Sequence, residues 1–451
     1  MEVTKPGKPL LSLFDLTMIV IGLVIGMGIF RTASDSARSA ITPTVFFVAW
    51  LVGGVIALCG ALTYAEIGSR YPVTGGYYKI FATAYHPSVA FAINCIILIS
   101  NAASLAAVAL IGSEYLSQIV FSSPPSDLVK SIIAMGSILL FYIVNLMGLR
   151  MSSKTQNVLM MIKIGMILLL ILALFFPEHY NVPSAVATTV TPDYSFMDYV
   201  KSFGGALVAV CFTYGGYQQT INFGEEIKNP SKNMPRGIFI GILVIIVLYL
   251  TVSYSYYKVI GFEELKTSKG IAAIVAEKIF GAPGRYIFSL LLFFAVLAYV
   301  NVILLSNPRV MYAMSEDNIL PPVFKKRNPR TEVLTVSLSV FAAICIIIIF
   351  WAKQFDKILS FTIFLDCFGM ILSAATIFIL RKKTKHLDDT GIYKMKLFPL
   401  LPLIFIAAYT FVAISITLDY EKNDYAALTG LAVMAVFTAL YFLLAQLKKK
   451  D

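Results

Sequence analysis

Long apolar stretches constrain this chain more than any other feature of its sequence. Roughly 20 consecutive apolar residues cross the hydrocarbon core of a bilayer, and twelve such stretches occur in the 451 residues. Hydrophobic residues make up 58% of the chain and charged residues 14%, more apolar surface than a water-soluble core can bury. The predicted spans are residues 13–34, 43–67, 88–119, 128–149, 154–176, 198–223, 236–257, 285–311, 333–351, 357–380, 397–417 and 425–446. The sequence therefore predicts an all-α integral membrane protein with twelve transmembrane helices.

The distribution of positive charge predicts how these spans are oriented. With both termini in the cytoplasm, the cytoplasmic connections carry more Lys and Arg than the external ones, as the positive-inside rule requires. This bias accounts for the net charge of +11 without a nucleic-acid partner. The opening residues, MEVTKPGKPLLSLFDL, lack a short apolar core followed by a small-residue cleavage site, so no signal peptide is expected. We expect a multi-pass protein of the cell membrane with cytoplasmic N and C termini.

Cysteine, histidine and phosphate-loop patterns argue against an enzyme. The five cysteines all fall inside predicted spans and form no CxxC pair, so they are interpreted as core residues. The three histidines lie in or beside loops and form no cluster for a catalytic metal. No GxxxxGK[ST] loop is present, which argues against nucleotide hydrolysis as the energy source. We expect no cofactor, no metal and no enzymatic activity.

Glycines interrupt two of the spans near the middle of the membrane. The stretch MIVIGLVIGMGIFRTAS contains Gly22, Gly26 and Gly28, although each glycine inside a helix costs about 1 kcal/mol relative to alanine. Gly22 and Gly26 also fit a small-residue packing face, but Gly28 does not extend it. The pair Gly215–Gly216 interrupts span six, five spans later. Glycine-interrupted spans at corresponding positions of two halves indicate an inverted-repeat transporter.

This spacing predicts two repeats within a single transmembrane domain, residues 1–451. Residues 13–176 hold spans one to five, residues 198–380 hold spans six to ten, and residues 397–446 hold an appended pair. A broken helix exposes free amides at the start of its second half, which suit a carboxylate. The free carbonyls at the end of its first half suit an ammonium group. One broken helix thus offers both poles that a zwitterion needs.

Four segments resemble transporters of the amino acid–polyamine–organocation (APC) superfamily. VIGMGIF resembles their first span, and FTYGGYQQTINFGEEIKNPSKNMPRGI resembles their sixth span and the loop after it. QNVLMMIKIGMILLL is similar to their fifth span, and NPRVMYAMSEDNILPPVFKKRNPRT to the exit of their eighth. The likeness runs through spans one to ten and is closest to bacterial relatives of the L-type amino acid transporters. It implies a LeuT-type 5+5 inverted repeat with broken helices 1 and 6.

The resemblance also implies a substrate site at the two breaks. The amides of Met27 and Gly28 should meet the substrate carboxylate, and the carbonyls of Val24, Phe212 and Gly215 its ammonium group. The Phe212 ring should close the site from outside. Met27 stands where the family often has serine and Tyr217 where it often has tryptophan, which leaves side-chain selectivity open. The candidate substrate-binding residues are Val24, Gly26, Met27, Gly28, Phe212, Gly215, Tyr217 and Gln218.

Lys163 is a charged residue deep inside a predicted span. It lies about 9 residues into span five, or ~13 Å from the membrane surface. Ionisable residues at such depth are functional hypotheses, although a long side chain can also extend to the interface. The resemblance implies that Lys163 occupies the place that sodium takes in related symporters. This interpretation predicts sodium-independent transport.

Arg31 and Asp366 lie at matching depths, ~12 to 14 Å inside the outer ends of spans one and ten. Because pairing offsets part of the cost of burying charge, we hypothesise that they pair on the extracellular side when that side closes. The alternative is a local pair of Arg31 with Asp35, four residues along the same helix. On the cytoplasmic side, Glu225 and Glu226 either close an inner gate through salt links or belong to a solvated loop.

The sequence thus predicts a secondary active transporter of small neutral zwitterionic amino acids, sodium-independent and working by exchange or proton coupling through alternating access. The alternatives are a cationic amino acid or polyamine antiporter and, from another class, a non-transporting amino acid sensor. The expected partners are the amino acid substrate and membrane lipid. Animal L-type transporters attach to a partner subunit through a cysteine in an external loop, and the matching loop FSSPPSDL has none. No disulfide-linked partner is therefore expected.

Overall fold

A computed structural model describes residues 10–447 except for Met27, Ser122, Pro124, residues 176–193, Lys269 and residues 352–354, 388–390 and 419–425. Some helical residues are described by their backbone alone, among them Arg31 and residues 355–362. Of the predicted site residues, Met27 therefore lies outside the described residues, as does the side chain of Arg31.

The described chain is a bundle of α-helices joined by short connections. Its helices are α1 (Leu13–Val24), α2 (Gly28–Ser39), α3 (Pro43–Arg70), α4 (Gly76–Ala84), α5 (Pro87–Val120), α6 (Asp127–Leu146), α7 (Leu149–Leu172), α8 (Phe196–Tyr214), α9 (Pro230–Ile260), α10 (Phe262–Thr267), α11 (Ile271–Glu316), α12 (Thr335–Trp351), α13 (Phe355–Lys383), α14 (Leu400–Leu418) and α15 (Ala426–Leu447).

The lengths and composition of these helices are those of a multi-pass membrane protein. Among the described residues, nine helices are long and apolar enough to cross a membrane, and three shorter apolar helices accompany them. Each predicted span falls on one helix, except that the first is divided between α1 and α2 and the sixth between α8 and a 3₁₀ turn, Tyr217–Asn222. The short helices α4 and α10 were not predicted. The all-helical membrane architecture is confirmed.

Helices α1 and α8, which both end at glycine-containing segments, begin with the same capping motif. Before α1, the Ser12 amide donates to the Asp15 carboxylate at 2.9 Å and the Asp15 amide donates to the Ser12 hydroxyl at 3.2 Å. Before α8, Ser195 and Asp198 make the same two bonds at 3.0 and 3.2 Å. Such a capping box satisfies amides that the helix itself leaves free. The two helices therefore have equivalent starting points.

Small residues set the distance between α1 and α9. A Cβ atom added at Gly237 would lie 2.8 Å from Leu16 Cδ2, and one added at Gly241 would lie 2.6 Å from Val20 Cγ1. The two glycines are four residues apart and so share one face of α9. Close backbone approach of this kind favours helix association in lipid, where the hydrophobic effect contributes little. This packing fixes α1 against α9 along the two turns that precede the end of α1 at Val24.

The outer surface of the bundle is apolar. On α6 and the residue that caps its end, Leu140, Ile143 and Met147 are between 51% and 57% exposed. These residues recur at helical spacing and would be costly in water, whereas they match hydrocarbon. The polar side chains of the bundle instead gather inside it.

Candidate functional site

Two helix interruptions lie side by side at the centre of the molecule. Helix α1 ends at Val24 and α2 begins at Gly28, while α8 ends at Tyr214 and a 3₁₀ turn, Tyr217–Asn222, continues the chain. The interruptions occur where the glycines predicted them. Helices α2 and α8 are in contact, and the Thr32 and Thr213 hydroxyl groups are hydrogen bonded between them.

Glycine is required at two points of these breaks. A Cβ atom added at Gly28 would lie 2.8 Å from Thr213 Cγ2, closer than real Cβ atoms come to a neighbour. Gly216 has a φ of 110°, a backbone conformation that side chains strongly disfavour. The side-by-side arrangement of the breaks therefore depends on these residue types.

A cavity opens between the two breaks, and most of the predicted site residues border it. Its wall is completed by α5, α11, α13 and α14. The predicted residues that line it are Val24, Gly26, Gly28, Phe212, Gly215, Gln218 and Asp366. Breaks that are far apart in sequence are thus brought together around one space.

Backbone groups at the first break supply both hydrogen-bond donors and acceptors. The amides in the first turn of α2 have no partner within the helix. On the other side, the Val24 carbonyl accepts a bond from the Gly26 amide at 2.7 Å and another from the Tyr249 hydroxyl at 3.2 Å. Tyr249 was not predicted as a site residue, because only the packing of α9 against α1 brings its hydroxyl there.

Lys163 ties α7 to the end of α1. Its side chain is completely buried, and its ammonium group donates to the carbonyl of Ile25. No carboxylate contacts this ammonium group within the described residues. The Lys163 ammonium group is thus buried next to the helix break, and the side chain does not extend to the surface of the bundle.

Tyr217 takes a different position from the other pocket candidates. Its ring is fully buried and packs edge-on against Tyr64 of α3, with the ring centroids 5.9 Å apart. Its hydroxyl lies so close to Gly60 that no Cβ atom would fit there. Tyr217 is not among the described residues that border the cavity. It packs the turn of the second break onto α3.

Amide and hydroxyl groups connect the wall to neighbouring helices. Asn101 of α5 donates to Asn307 of α11 at 2.7 Å, and Gln219 donates to Asn101 at 3.1 Å. Ser104 and Tyr299 are bonded at 2.9 Å across the same two helices. Polar side chains of α5 and α11 thus link these two helices to each other. Tyr299, Thr32 and Thr213 also border the cavity and were not predicted.

Buried ion pairs hold the end of the bundle at which α9 begins and α11 ends. The Glu226 carboxylate lies 2.7 Å from Arg309 and 3.9 Å from Arg327. The Arg309 guanidinium also stacks over the Phe223 ring, 4.4 Å from its centroid. Glu225 accepts a bond from Thr74 at 2.9 Å. Of the two interpretations of this segment, the salt link is therefore favoured over the solvated loop.

A second buried ion cluster lies beside the first. Glu66 of α3 is completely buried and lies 2.7 Å both from Arg70 of the same helix and from Arg381 of α13. The Met395 amide donates to the same carboxylate at 2.9 Å. Such fully hydrogen-bonded charges fix the mutual positions of the helix ends.

The fold and the cavity together define a multi-pass helical membrane protein with a chamber of mixed apolar and polar lining at two helix breaks. The profile of the amino acid permease family matches residues 11–441, and the chain belongs to this family. The resemblance to the APC superfamily is thereby confirmed. Members of this family are permeases, that is, transporters and not enzymes.

Characterised relatives are similar over most of their length. The chain is 28% identical to the serine/threonine exchanger SteT of Bacillus subtilis (strain 168), over 94% of this chain and 95% of that one. It is 26% identical to the methylthioribose transporter of the same organism, over 71% and 70% of the two chains. It is also 26% identical to the branched-chain amino acid permease BcaP of that organism, over 88% and 86%.

Proposed function

We propose that this protein is a secondary active transporter of small neutral zwitterionic amino acids that works by alternating access. The observation that carries the proposal is the cavity bounded by both helix breaks, since the start of α2 and the end of α1 both border it and a helix leaves amides free at its start and carbonyls free at its end. Similarity to a serine/threonine exchanger and to a branched-chain amino acid permease supports this substrate class.

The proposed architecture has twelve spans, with spans one to five and six to ten as inverted repeats of the LeuT type. Its support is the equivalence of the two broken segments. Each starts at a Ser-x-x-Asp capping box and each is interrupted at glycines, five spans apart. The N and C termini are placed in the cytoplasm of a cell-membrane protein on the basis of the positive-inside bias.

In the proposed site, the amides of Met27 and Gly28 bind the substrate carboxylate. The carbonyls of Val24, Phe212 and Gly215 receive the ammonium group, and the Phe212 ring covers the bound substrate. Since the Val24 carbonyl already accepts two bonds, the ammonium group shares or replaces the donation from Tyr249. Gly26 leaves room beside the bound zwitterion, and Gln218 belongs to the side-chain pocket.

Lys163 is proposed to make transport independent of sodium. Its ammonium group donates a hydrogen bond to a carbonyl at the end of α1. A backbone carbonyl of this kind is a ligand that a coupling cation would bind. Arg31 and Asp366 are proposed to pair as the outer side closes, while Glu226 and Arg309 close the inner side.

The test is uptake of labelled serine, alanine and leucine into liposomes that contain the purified protein. Uptake that requires internal amino acid and ignores sodium supports an exchanger, and uptake into empty liposomes under an inward proton gradient supports proton coupling. A requirement for sodium would contradict the role of Lys163. Methylthioribose belongs in the panel because one relative transports it, and preference for it would overturn the amino acid assignment.

The second candidate is a carrier of cationic amino acids or polyamines. One observation favours it, because the cavity wall contains the carboxylate of Asp366. Arginine, ornithine and putrescine in the same uptake assay separate the two candidates. Absence of any flux would favour the sensor.

A further inference from the structure

The carboxylate of Asp366 borders the cavity with hydrogen-bonding capacity to spare. Its Oδ1 accepts a bond from the Ser100 hydroxyl at 3.1 Å, and the residue is only partly buried. An ionised carboxylate offers about four acceptor positions, of which Ser100 uses one within the described residues. No other donor to Asp366 lies among the side chains that the structure describes, so this carboxylate can also accept from a ligand in the cavity.

Two other polar side chains of the same wall, Asn101 and Ser104, already have partners inside the protein. The Asn101 amide donates to Asn307 at 2.7 Å, and the Ser104 hydroxyl is bonded to Tyr299 at 2.9 Å. These bonds cross from α5 to α11 and hold the wall together. Asp366 stands on α13 and borders the same cavity as the helix breaks, so a substrate held by its backbone groups at the breaks lies in the same space as this carboxylate.

Building on the proposed function, we propose that Asp366 is a specificity-determining residue that accepts a hydrogen bond from a donor on the substrate side chain, and that this donor is a hydroxyl group. The preferred substrates are then small hydroxyl-bearing amino acids. A carboxylate accepts from several donors at once, so this contact is compatible with pairing to Arg31 when the outer side closes.

Charge balance favours a hydroxyl donor over an ammonium donor. Among the described side chains, Lys163 places one formal positive charge behind the break and Asp366 places one negative charge on the cavity wall. A zwitterion with a neutral side chain keeps these charges balanced. A cationic side chain would add an unbalanced charge in a region of low dielectric constant, where charge is costly.

The test compares pairs of amino acids that have the same shape but differ in the donor. Threonine and valine differ by hydroxyl for methyl, as do serine and 2-aminobutyrate. Each is titrated as an inhibitor of labelled alanine uptake into liposomes. For the wild-type protein, threonine should inhibit at a concentration at least about tenfold lower than valine, since a hydrogen bond to a charged group discriminates by that factor or more.

Two substitutions of Asp366 and one control substitution test whether this carboxylate recognises the hydroxyl group of the substrate. Asp366→Leu removes the acceptor, so threonine and valine should inhibit the remaining alanine uptake at about equal concentrations, whatever the rate of that uptake. Asp366→Asn keeps one acceptor oxygen and should retain part of the preference, which provides a readout if the leucine variant does not fold. Asp127→Asn, at a fully solvent-exposed carboxylate, should leave the ratio unchanged.

Failure of this inference is distinguishable from failure of the proposed function. Alanine uptake with an unchanged threonine-to-valine ratio in both Asp366 variants would overturn the inference and leave the transporter intact. A wild-type preference for ornithine over threonine would overturn the hydroxyl assignment in favour of an ammonium donor. Absence of amino acid flux in the wild-type protein would overturn both.

Discussion

At the scale of single residues, the helix breaks depend on glycines that have no room for a side chain. Gly28 lies against Thr213, and a methyl group there would force α2 and α8 apart. Gly22 has a different role, because its added Cβ would lie 3.3 Å from Gln156 Cδ and so it permits helix packing. The same residue type therefore serves the site at one position and the packing at another.

Gly28→Ala should reduce uptake at least tenfold. The added Cβ would lie 2.8 Å from Thr213 Cγ2, and overpacking of this kind typically costs about 1–3 kcal/mol. Initial uptake rates, normalised to protein recovered in detergent, measure the effect. Gly136→Ala is the matched control, since its Cβ would meet nothing within 4 Å. Equal rates for the two variants would contradict the requirement for glycine at the break.

Lys163→Met should abolish most transport without abolishing folding. It removes the donor to the Ile25 carbonyl at the break but keeps an apolar chain of similar length. Lys154→Met, at an exposed position of the same helix, is the control and should transport normally. Wild-type uptake by the Lys163 variant would show that this buried cation plays no part in the cycle.

At the scale of elements, the starts of α1 and α8 are set by two equivalent capping boxes. Neither capping box was predicted from the sequence, although both Ser-x-x-Asp patterns are present in it, as SLFD and SFMD. The twelve apolar stretches and the glycine breaks could be predicted because they rest on local composition and backbone chemistry. The position of Tyr217 could not, because it depends on how α3 packs against the turn that follows α8.

Removal of either cap should lower stability by a similar amount. Ser12→Ala and Ser195→Ala each remove a side-chain acceptor for a free amide, which typically costs about 1 kcal/mol. Thermal unfolding in detergent should show a lowered midpoint for both variants. Thr155→Ala is the control, because its hydroxyl bonds only one turn back, to Met151. An effect confined to one cap would argue against equivalent roles for the two segments.

At the scale of the whole molecule, the end of the bundle at which α11 ends is held by charges from distant parts of the sequence. Glu226 follows the second break, whereas Arg309 lies on α11 and Arg327 follows that helix. No local pattern predicts which arginine a given glutamate meets. The sequence could therefore predict the chemistry of a salt link in this segment but not its partner.

Glu226→Gln and Arg309→Gln should each impair transport strongly, and the double variant should be less impaired than the sum predicts. Each single substitution leaves a buried charge without its partner, which costs about 3–5 kcal/mol. A double-mutant cycle on uptake and on thermal unfolding measures the coupling. Lys130→Gln, in an exposed pair with Asp127, should change neither. Additive losses would exclude a direct Glu226–Arg309 coupling.

The bond from the Tyr249 hydroxyl to the Val24 carbonyl has a consequence for the resting carrier. A backbone carbonyl that borders a chamber inside a membrane and has no donor costs about 1–3 kcal/mol. The Val24 carbonyl instead accepts bonds from the Gly26 amide and the Tyr249 hydroxyl, both groups of the protein itself. In the proposed site, a substrate ammonium group replaces one of these donors and meets no unpaired acceptor there, which limits affinity. Weak binding favours fast release, and fast release raises the turnover of a transporter.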